Sequence, residues 1–382
     1  MKVITLTNYD LRYTVKEWQR DGQAAHQAWG ITCMEKYGIQ PSILEFSKFN
    51  FLKKLGEKIK LLGDLDQQIR VLATSRDYDL IYSGHYFTTS LLAFLRKFGF
   101  LRKPIVAITF QAPRKSLLAN IYVQLFVSGN DKLICLSEGI KDHFEKEFGL
   151  PAERLEFVEW GYDTDFHQFK PISLSEIQKD GYILSTGKSF RDYDTLIKAF
   201  SGLNYPLNII GYSDNILGSL EVLPNNVEVT IPLNVISKKI LSQTLDLDNL
   251  PANVKTIRRL LSTFEILPKY NKALAVAIPL DLPPHKPHNT VGLSSLLEAM
   301  CMGRAVIATE NKDMGVNLEK EKIGFTVPYK DVSAWKQATQ YLIDHLEETQ
   351  EMGQRARYLA EKRYNLANFT RKTVECMQSV MM

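Results

Sequence analysis

Short apolar runs recur along this chain, each parted from the next by a longer stretch of helical pattern, and that alternation admits few folds. In the first half Lys2–Leu6 and residues 42–46, 80–82, 105–108 and 132–136 read as strands, and residues 22–36 read as a helix. Such short, nearly continuous apolar runs mark strands buried on both faces, as in a parallel sheet covered by helices. The second half repeats the alternation, with strands at 182–185, 207–210, 227–231, Ala273–Ile278, Ala305–Thr309 and 325–327. At about 100–200 residues per domain, 382 residues make two domains, so the chain is read as two doubly wound sheets in series. The pattern changes over residues 155–171, where the interdomain link is placed. Residues 232–268 interrupt the alternation without a recognisable strand; they read as an insertion with at least one helix, basic and helical in pattern over 254–261.

Composition narrows the function classes. Lysine and arginine number 47 against 43 aspartate and glutamate, a net charge of +4 that demands no nucleic-acid partner. Four cysteines, Cys33, Cys135, Cys301 and Cys376, lack any short spacing, so neither a disulfide framework nor a zinc cluster is expected. The first residues turn polar before a signal-peptide core could form, and the longest apolar run, 273–280, falls far short of the ~20 residues that span a bilayer. The expected location is cytoplasmic, with any membrane contact peripheral.

The most informative segment runs from His288 to Thr309. Gly292 lets the backbone turn, and Ser294 or Ser295 can cap a helix whose apolar stripe is Leu296, Leu297 and Met300. A helix start after such a turn presents N–H groups that favour a phosphate. Glu298 falls about one turn inside, where its carboxylate can accept two hydrogen bonds from a vicinal diol such as a ribose. The same residues also spell a plain capping box.

Gly292-Leu293-Ser294-Ser295-Leu296-Leu297-Glu298-Ala299-Met300, followed by Gly303-Arg304-Ala305-Val306-Ile307-Ala308-Thr309, resembles the signature of the family 4 (group 1) glycosyltransferases of the GT-B fold. The resemblance continues through Gly324-Phe325-Thr326-Val327-Pro328 and Gly353-Gln354-Arg355-Ala356-Arg357, and it is strong over the second half and weak over the first. It implies two Rossmann-like domains facing across a cleft: 1–165 on the acceptor side, 166–365 holding a nucleoside-diphosphate sugar, and a last helix, about 366–382, packed back on the first domain.

The resemblance also implies roles. Ile183 to Phe200 is similar to the family's strand ending in Gly-Arg, here Gly187 and Lys188, followed by a helix-start lysine, here Arg191. Lys188 and Arg191 are the two cations that would neutralise the diphosphate leaving group. Asp21-Gly22 stands for the family's Gly-Gly turn, and residues 7–20 before it read as a long loop over the cleft. The family's strand-end histidine is matched by position at Gln111, with His85 after the preceding strand as the other candidate. Thr290 occupies the place of the family's first glutamate, so His288, Asn289 and Thr290 all remain candidates for the sugar-facing role. Gly161-Tyr162-Asp163 resembles the family's interdomain Gly-Val-Asp. Lys188, Arg191, His85 and Gln111 form the expected catalytic set, with Gly22, Gly187, His288, Asn289, Thr290, Gly292, Leu293, Ser294, Ser295 and Glu298 on the donor.

The implied activity is hexosyltransferase-type sugar transfer with retention of configuration, without cofactor or metal. The acceptor is left open among lipid, glycan and small molecule. Residues 49–62 mix Phe49, Phe51, Leu52, Leu55 and Ile59 with four lysines and one glutamate, preceded by Lys48, a pattern of either a surface helix or a helix on an anionic membrane. Residues 91–103 add a second basic and apolar segment. A competing reading is a non-catalytic nucleotide-sugar-binding or scaffold protein of the same fold. A dinucleotide-dependent oxidoreductase is disfavoured because no Gly-x-Gly-x-x-Gly follows a strand.

Overall fold

A computed structural model describes residues 1–187, 189–211, 223–232, 254–257, 261–283 and 288–381. They divide into two compact units: Met1–Asp163 with Lys286–Thr290 and Arg363–Met382, and Thr164–His285 with Val291–Lys362.

In the first unit β1 (Lys2–Leu6), β2 (Gln40–Ile43), β3 (Leu80–Ser83), β4 (Ile105–Thr109), β5 (Lys132–Cys135) and β6 (Leu155–Phe157) form one parallel sheet in the order β2-β1-β3-β4-β5-β6. Every residue of β3 and β4 is buried, as central strands covered on both faces must be. Helices α1 (Leu11–Gln19), α2 (Ile31–Met34), α3 (Asn50–Lys58), α4 (Leu65–Ala73), α5 (Ser90–Lys97), α6 (Leu117–Tyr122) and α7 (Glu138–Phe148) make the crossovers. From β1 the chain moves outward to β2, while β3 pairs with β1 on its other edge. That reversal opens a crevice beyond the carboxyl ends of β1 and β3.

Three expectations need correction here. Residues 22–36 are not one helix. Trp29 and Gly30 are both left-handed, with φ of 53° and 81°, which breaks the segment into a 3₁₀ turn, Ala25–Ala28, and the short α2. The break is useful: the Trp29 carbonyl accepts from the Tyr82 hydroxyl at 2.9 Å, and the indole stacks between Phe110 and Trp160. Residues 7–20 are not a loop, since Asp10 caps α1 through the Tyr13 amide at 3.1 Å. The second strand runs Gln40–Ile43, earlier than 42–46.

The second unit holds β7 (Tyr182–Gly187), β8 (Leu207–Gly211), β9 (Val227–Pro232), β10 (Val254–Ile257), β11 (Ala273–Ile278), β12 (Ala305–Thr309) and β13 (Gly324–Val327), all parallel, in the order β10-β9-β8-β7-β11-β12-β13. Its helices are α8 (Leu174–Asp180), α9 (Tyr193–Phe200), α10 (Thr263–Lys272), α11 (Leu293–Cys301), α12 (Val332–Asp344) and α13 (Leu346–Lys362). Here too the order reverses, between β7 and β11, and places a crevice beyond their carboxyl ends. Residues 254–257 form an edge strand, not part of a helix: Val254 pairs with Val229 and Ile257 with Pro232. The expected helix of the 232–268 stretch is α10, opened by a capping box between Ser262 and Glu265. The remainder of that stretch up to Ser262, at 233–253 and 258–260, lies outside the described residues.

The last helix, α14 (Leu366–Ser379), belongs to the first unit, where it packs on α2 and β5 and buries Phe369, Val374 and Met377. Gly30 lies so close to it that an added Cβ would stand 2.9 Å from the Thr370 hydroxyl oxygen. All four cysteines are free thiols. Among the described residues no helix is long and apolar enough to cross a membrane.

Candidate functional site

In the second unit the crevice beyond β7 and β11 is braced by Arg191. Its side chain is almost wholly buried, with Nε donating to the Thr186 carbonyl (3.1 Å), Nη1 to the Ser189 carbonyl (2.9 Å) and Nη2 to Ser295 Oγ (2.8 Å). Gly187 ends β7 at φ 125°, and an added Cβ would sit 2.5 Å from that guanidinium, so only glycine lets the strand end this close to the charge. The backbone of Arg191 forms an antiparallel bridge with Leu280, just past β11. Lys188 lies outside the described residues.

Gly292, at φ 96°, caps α11, and its carbonyl accepts from the Leu296 amide at 2.9 Å. Leu293 is buried, Ser294 faces solvent and Ser295 is held by Arg191, so the two serines divide. Glu298, three residues after Ser295, is half-buried. Its Oε2 accepts from the Tyr270 hydroxyl at 2.8 Å, and its Oε1 lies 3.9 Å from Nε2 of the buried His167. Since the Tyr270 proton goes to Glu298, the 3.0 Å contact between Tyr270 and Thr186 has the threonine hydroxyl as donor. Burial, with the Glu298 charge second, raises the Tyr270 pKa far above the ordinary value and keeps that proton in place.

These bonds close a ring. Arg191 holds Thr186, Thr186 meets Tyr270, Tyr270 holds Glu298, and Ser295 on the same helix returns to Arg191. The end of β7, the helix α10 and the first two turns of α11 are thereby fixed to one another. A helix start and a carboxylate held in this way suit a phosphate and a ribose diol.

In the first unit His85 and Gln111, alternatives from the sequence, are neighbours: His85 Nε2 and Gln111 Nε2 are 3.5 Å apart. His85 follows β3 and Gln111 follows β4, both at strand carboxyl ends. The imidazole is buried against Phe110, ring centroids 4.6 Å apart, and burial pushes its pKa down to about 4. It is neutral near pH 7 and serves as a hydrogen-bonding ring rather than a cation. Gln111 is exposed.

His288, Asn289 and Thr290 belong with this pair. Asn289 bridges Gln111 in antiparallel fashion, the His288 carbonyl accepts from the Ala112 amide (2.9 Å), and the Thr290 amide donates to the Phe110 carbonyl (2.9 Å). The His288 ring lies 4.5 Å from that of His143. Gly22 sits after Asp21, which takes the left-handed φ of 55° that a glycine would otherwise supply, and the Gly22 amide donates to the Glu17 carbonyl at 2.8 Å. Asp163 Oδ2 accepts from the Ala25 amide at 2.8 Å and so anchors the turn that follows.

Tyr270 and His167 escaped sequence reasoning. Tyr270 lies just beyond the 232–268 stretch where the strand pattern lapsed, and neither residue has a short spacing to Glu298. His26 escaped too; its ring stacks on Tyr162 with centroids 3.5 Å apart. The Gly161-Tyr162-Asp163 motif was its nearest signal.

Residues 26–166 match the family model Glycosyltransferase Family 4. No curated protein matches the chain by sequence. Among solved structures the chain is similar to Anabaena HepE in complex with UDP-glucose (TM-score 0.63, 17% identity, 99% of this chain and 100% of that one). It is similar to the sucrose-phosphate synthase of Thermosynechococcus elongatus (TM-score 0.66, 12% identity, 100% and 99%). It is also similar to WaaG, a glycosyltransferase involved in lipopolysaccharide biosynthesis (TM-score 0.59, 12% identity, 98% and 99%). At these identities the neighbours speak to the fold, which is GT-B.

Proposed function

We propose that this chain, a GT-B glycosyltransferase with the Glycosyltransferase Family 4 match over residues 26–166, moves a sugar from a nucleoside diphosphate to an acceptor hydroxyl with retention of configuration and without a metal. The ring of hydrogen bonds through Arg191, Thr186, Tyr270, Glu298 and Ser295 carries this reading. It holds the amides after Gly292 for the diphosphate and Glu298 for the ribose. HepE, a neighbour in fold, is seen with UDP and with UDP-glucose, so a uridine donor is the first to try.

In the step itself the anomeric carbon–oxygen bond to the diphosphate breaks and its electron pair stays with the phosphate oxygen. The acceptor oxygen bonds to the anomeric carbon and its proton is released. Charge on the leaving phosphate is offset by Lys188, by the α11 amides and by the Arg191 guanidinium held beside Gly187. Neutral His85 and exposed Gln111 supply hydrogen bonds for hydroxyl groups on the first unit. Peripheral contact with a membrane through residues 49–62, from the cytoplasmic side, belongs to the same proposal.

The test pairs binding with turnover. UDP or UDP-glucose is expected to raise the apparent melting temperature, because a ligand of the native state must do so. UDP release from the sugar nucleotide is expected to fall about a hundredfold or more in Lys188→Ala. Arg191→Lys keeps a charge but loses the three-way brace. Its loss should show in stability as well as rate. Binding without turnover of any donor would make the chain a nucleotide-sugar-binding protein instead.

A further inference from the structure

At the outer edge of the second unit's crevice one side chain sits where stability alone would not put it. Among the described residues, the aromatic ones with a left-handed backbone are Trp29 and Phe190. Trp29 is buried, with its indole packed between rings, but Phe190, at φ 50°, is 53% exposed. A left-handed conformation costs a residue with a Cβ about 1–2 kcal/mol, and a ring half in solvent offsets little of that by burial. The turn is nevertheless held from both sides. Arg191 Nη1 donates to the Ser189 carbonyl at 2.9 Å, the Asp281 amide to the Phe190 carbonyl at 2.9 Å, and the Asp192 amide to the Pro279 carbonyl at 3.1 Å. Strain kept up by its surroundings, at the carboxyl end of a central strand, marks a place for function.

Position along the site says what would meet the ring. Glu298 lies six residues past Gly292, about 9 Å down α11 at about 1.5 Å per residue. With the ribose at Glu298 and the diphosphate at the amides after Gly292, the transferred sugar falls beyond the outer end of the helix. Phe190 is on the segment beside that end. Leu280 packs on Gly292, whose added Cβ would be 3.2 Å from Leu280 Cδ1, and Leu280 bridges Arg191 through the backbone. The next residue, Asp281, is joined to Phe190 by backbone, and its Oδ1 accepts from the Tyr329 hydroxyl at 2.7 Å. A carboxylate has acceptor sites for more than one hydroxyl. An aromatic ring and a carboxylate on adjoining segments suit a hexose: the ring covers its face of C–H groups, and the carboxylate accepts from its hydroxyls.

We infer, resting on the glycosyltransferase reading above, that Phe190 is the platform on which the hexose of the donor lies and that Asp281 accepts from the hexose hydroxyls. Recognition of the transferred sugar is thereby separate from recognition of the nucleotide, which falls to Glu298 and the α11 amides.

Isothermal titration of the full chain with UDP, ADP and GDP, each with and without glucose attached, tests it. For the pair that binds, Phe190→Gly should weaken the sugar nucleotide about tenfold and leave the bare diphosphate within about twofold of wild type. Glycine takes the left-handed turn freely, so the Arg191 brace and the far-UV circular dichroism should be kept. Phe190→Tyr, which retains the ring, should bind the sugar nucleotide as the wild type does. Asp281→Asn should weaken the sugar nucleotide about threefold, again sparing the bare diphosphate. Equal weakening of both ligands by Phe190→Gly, or of neither, overturns the inference, as does a wild type that binds the bare diphosphate alone. A wild type that binds no member of any pair overturns the glycosyltransferase reading and the inference with it, whereas the other outcomes leave nucleotide binding in place.

Discussion

Tyr270 has one hydroxyl proton, and it is donated in a hydrogen bond to Glu298. With Oε2 occupied in this way the carboxylate is fixed in rotation, with Oε1 3.9 Å from His167 Nε2, and on the proposed function Oε1 is the atom that would meet the ribose diol. Tyr270→Phe is therefore expected to weaken UDP binding about tenfold while changing the affinity for 2′-deoxy-UDP little, which isothermal titration can separate; a hydrogen bond to a charged group contributes about 1.5–3 kcal/mol. His85 carries a pH signature. Its pKa is about 4 in the fold against 6.5 for an ordinary histidine, so between those values the unfolded chain binds more protons. Stability should then be complete above about pH 6.5 and fall by up to about 3 kcal/mol as the pH drops through 4; urea unfolding of His85→Asn across that window should lack this component. The sequence pointed to His85, Gln111 and Glu298 by motif and strand position. It could not show that the first two touch, nor that Arg191 is a brace, because both facts depend on side-chain packing across distant segments.

Elements are fastened by single groups. Asp66 on α4 receives the two amides that open α3 and also pairs with Arg70 at 2.6 Å. Asp66→Ala would leave Arg70 and two amides without this carboxylate, and a loss of about 3 kcal/mol is expected in equilibrium unfolding. For α11 the fastening is Gly292. At φ 96°, with Met314 Sδ 2.9 Å from where a Cβ would be, Gly292→Ala should cost about 1–3 kcal/mol and weaken UDP binding in proportion as the first turn shifts. Strands were legible because buried parallel strands are written as unbroken apolar runs, and Ala273–Ile278 and Ala305–Thr309 fall where they were read. β10 was not, because Val254-Lys255-Thr256-Ile257 is an edge strand with a lysine in it, and with the arginines that follow in the sequence it reads as a basic helical pattern. The expected helix at 22–36 failed on two left-handed residues, one of them a tryptophan, which no propensity would place there.

At the scale of the molecule the two doubly wound sheets follow from alternation and length alone. The assignment of pieces to units does not, since it depends on contacts such as Thr290 with Phe110 and Tyr162 with Tyr364. Removing residues 363–382 should unfold the first unit: Phe369, Val374 and Met377 are buried there, and apolar burial of about 2 kcal/mol each approaches the whole stability of a domain. A chain cut after Lys362 should lose one calorimetric transition and keep another that still shifts with UDP.

The return of α14 to the first unit also orders events during synthesis. At about 5–20 residues per second, roughly ten to forty seconds separate the translation of Asp163 from that of Arg363. Through that interval the nascent first unit has its sheet but not the helix that covers α2 and β5, so an apolar groove stays bare while the second unit emerges. Chaperones that recognise exposed apolar surface would meet this chain first at that groove, and the first unit, begun earliest, would be the last to close.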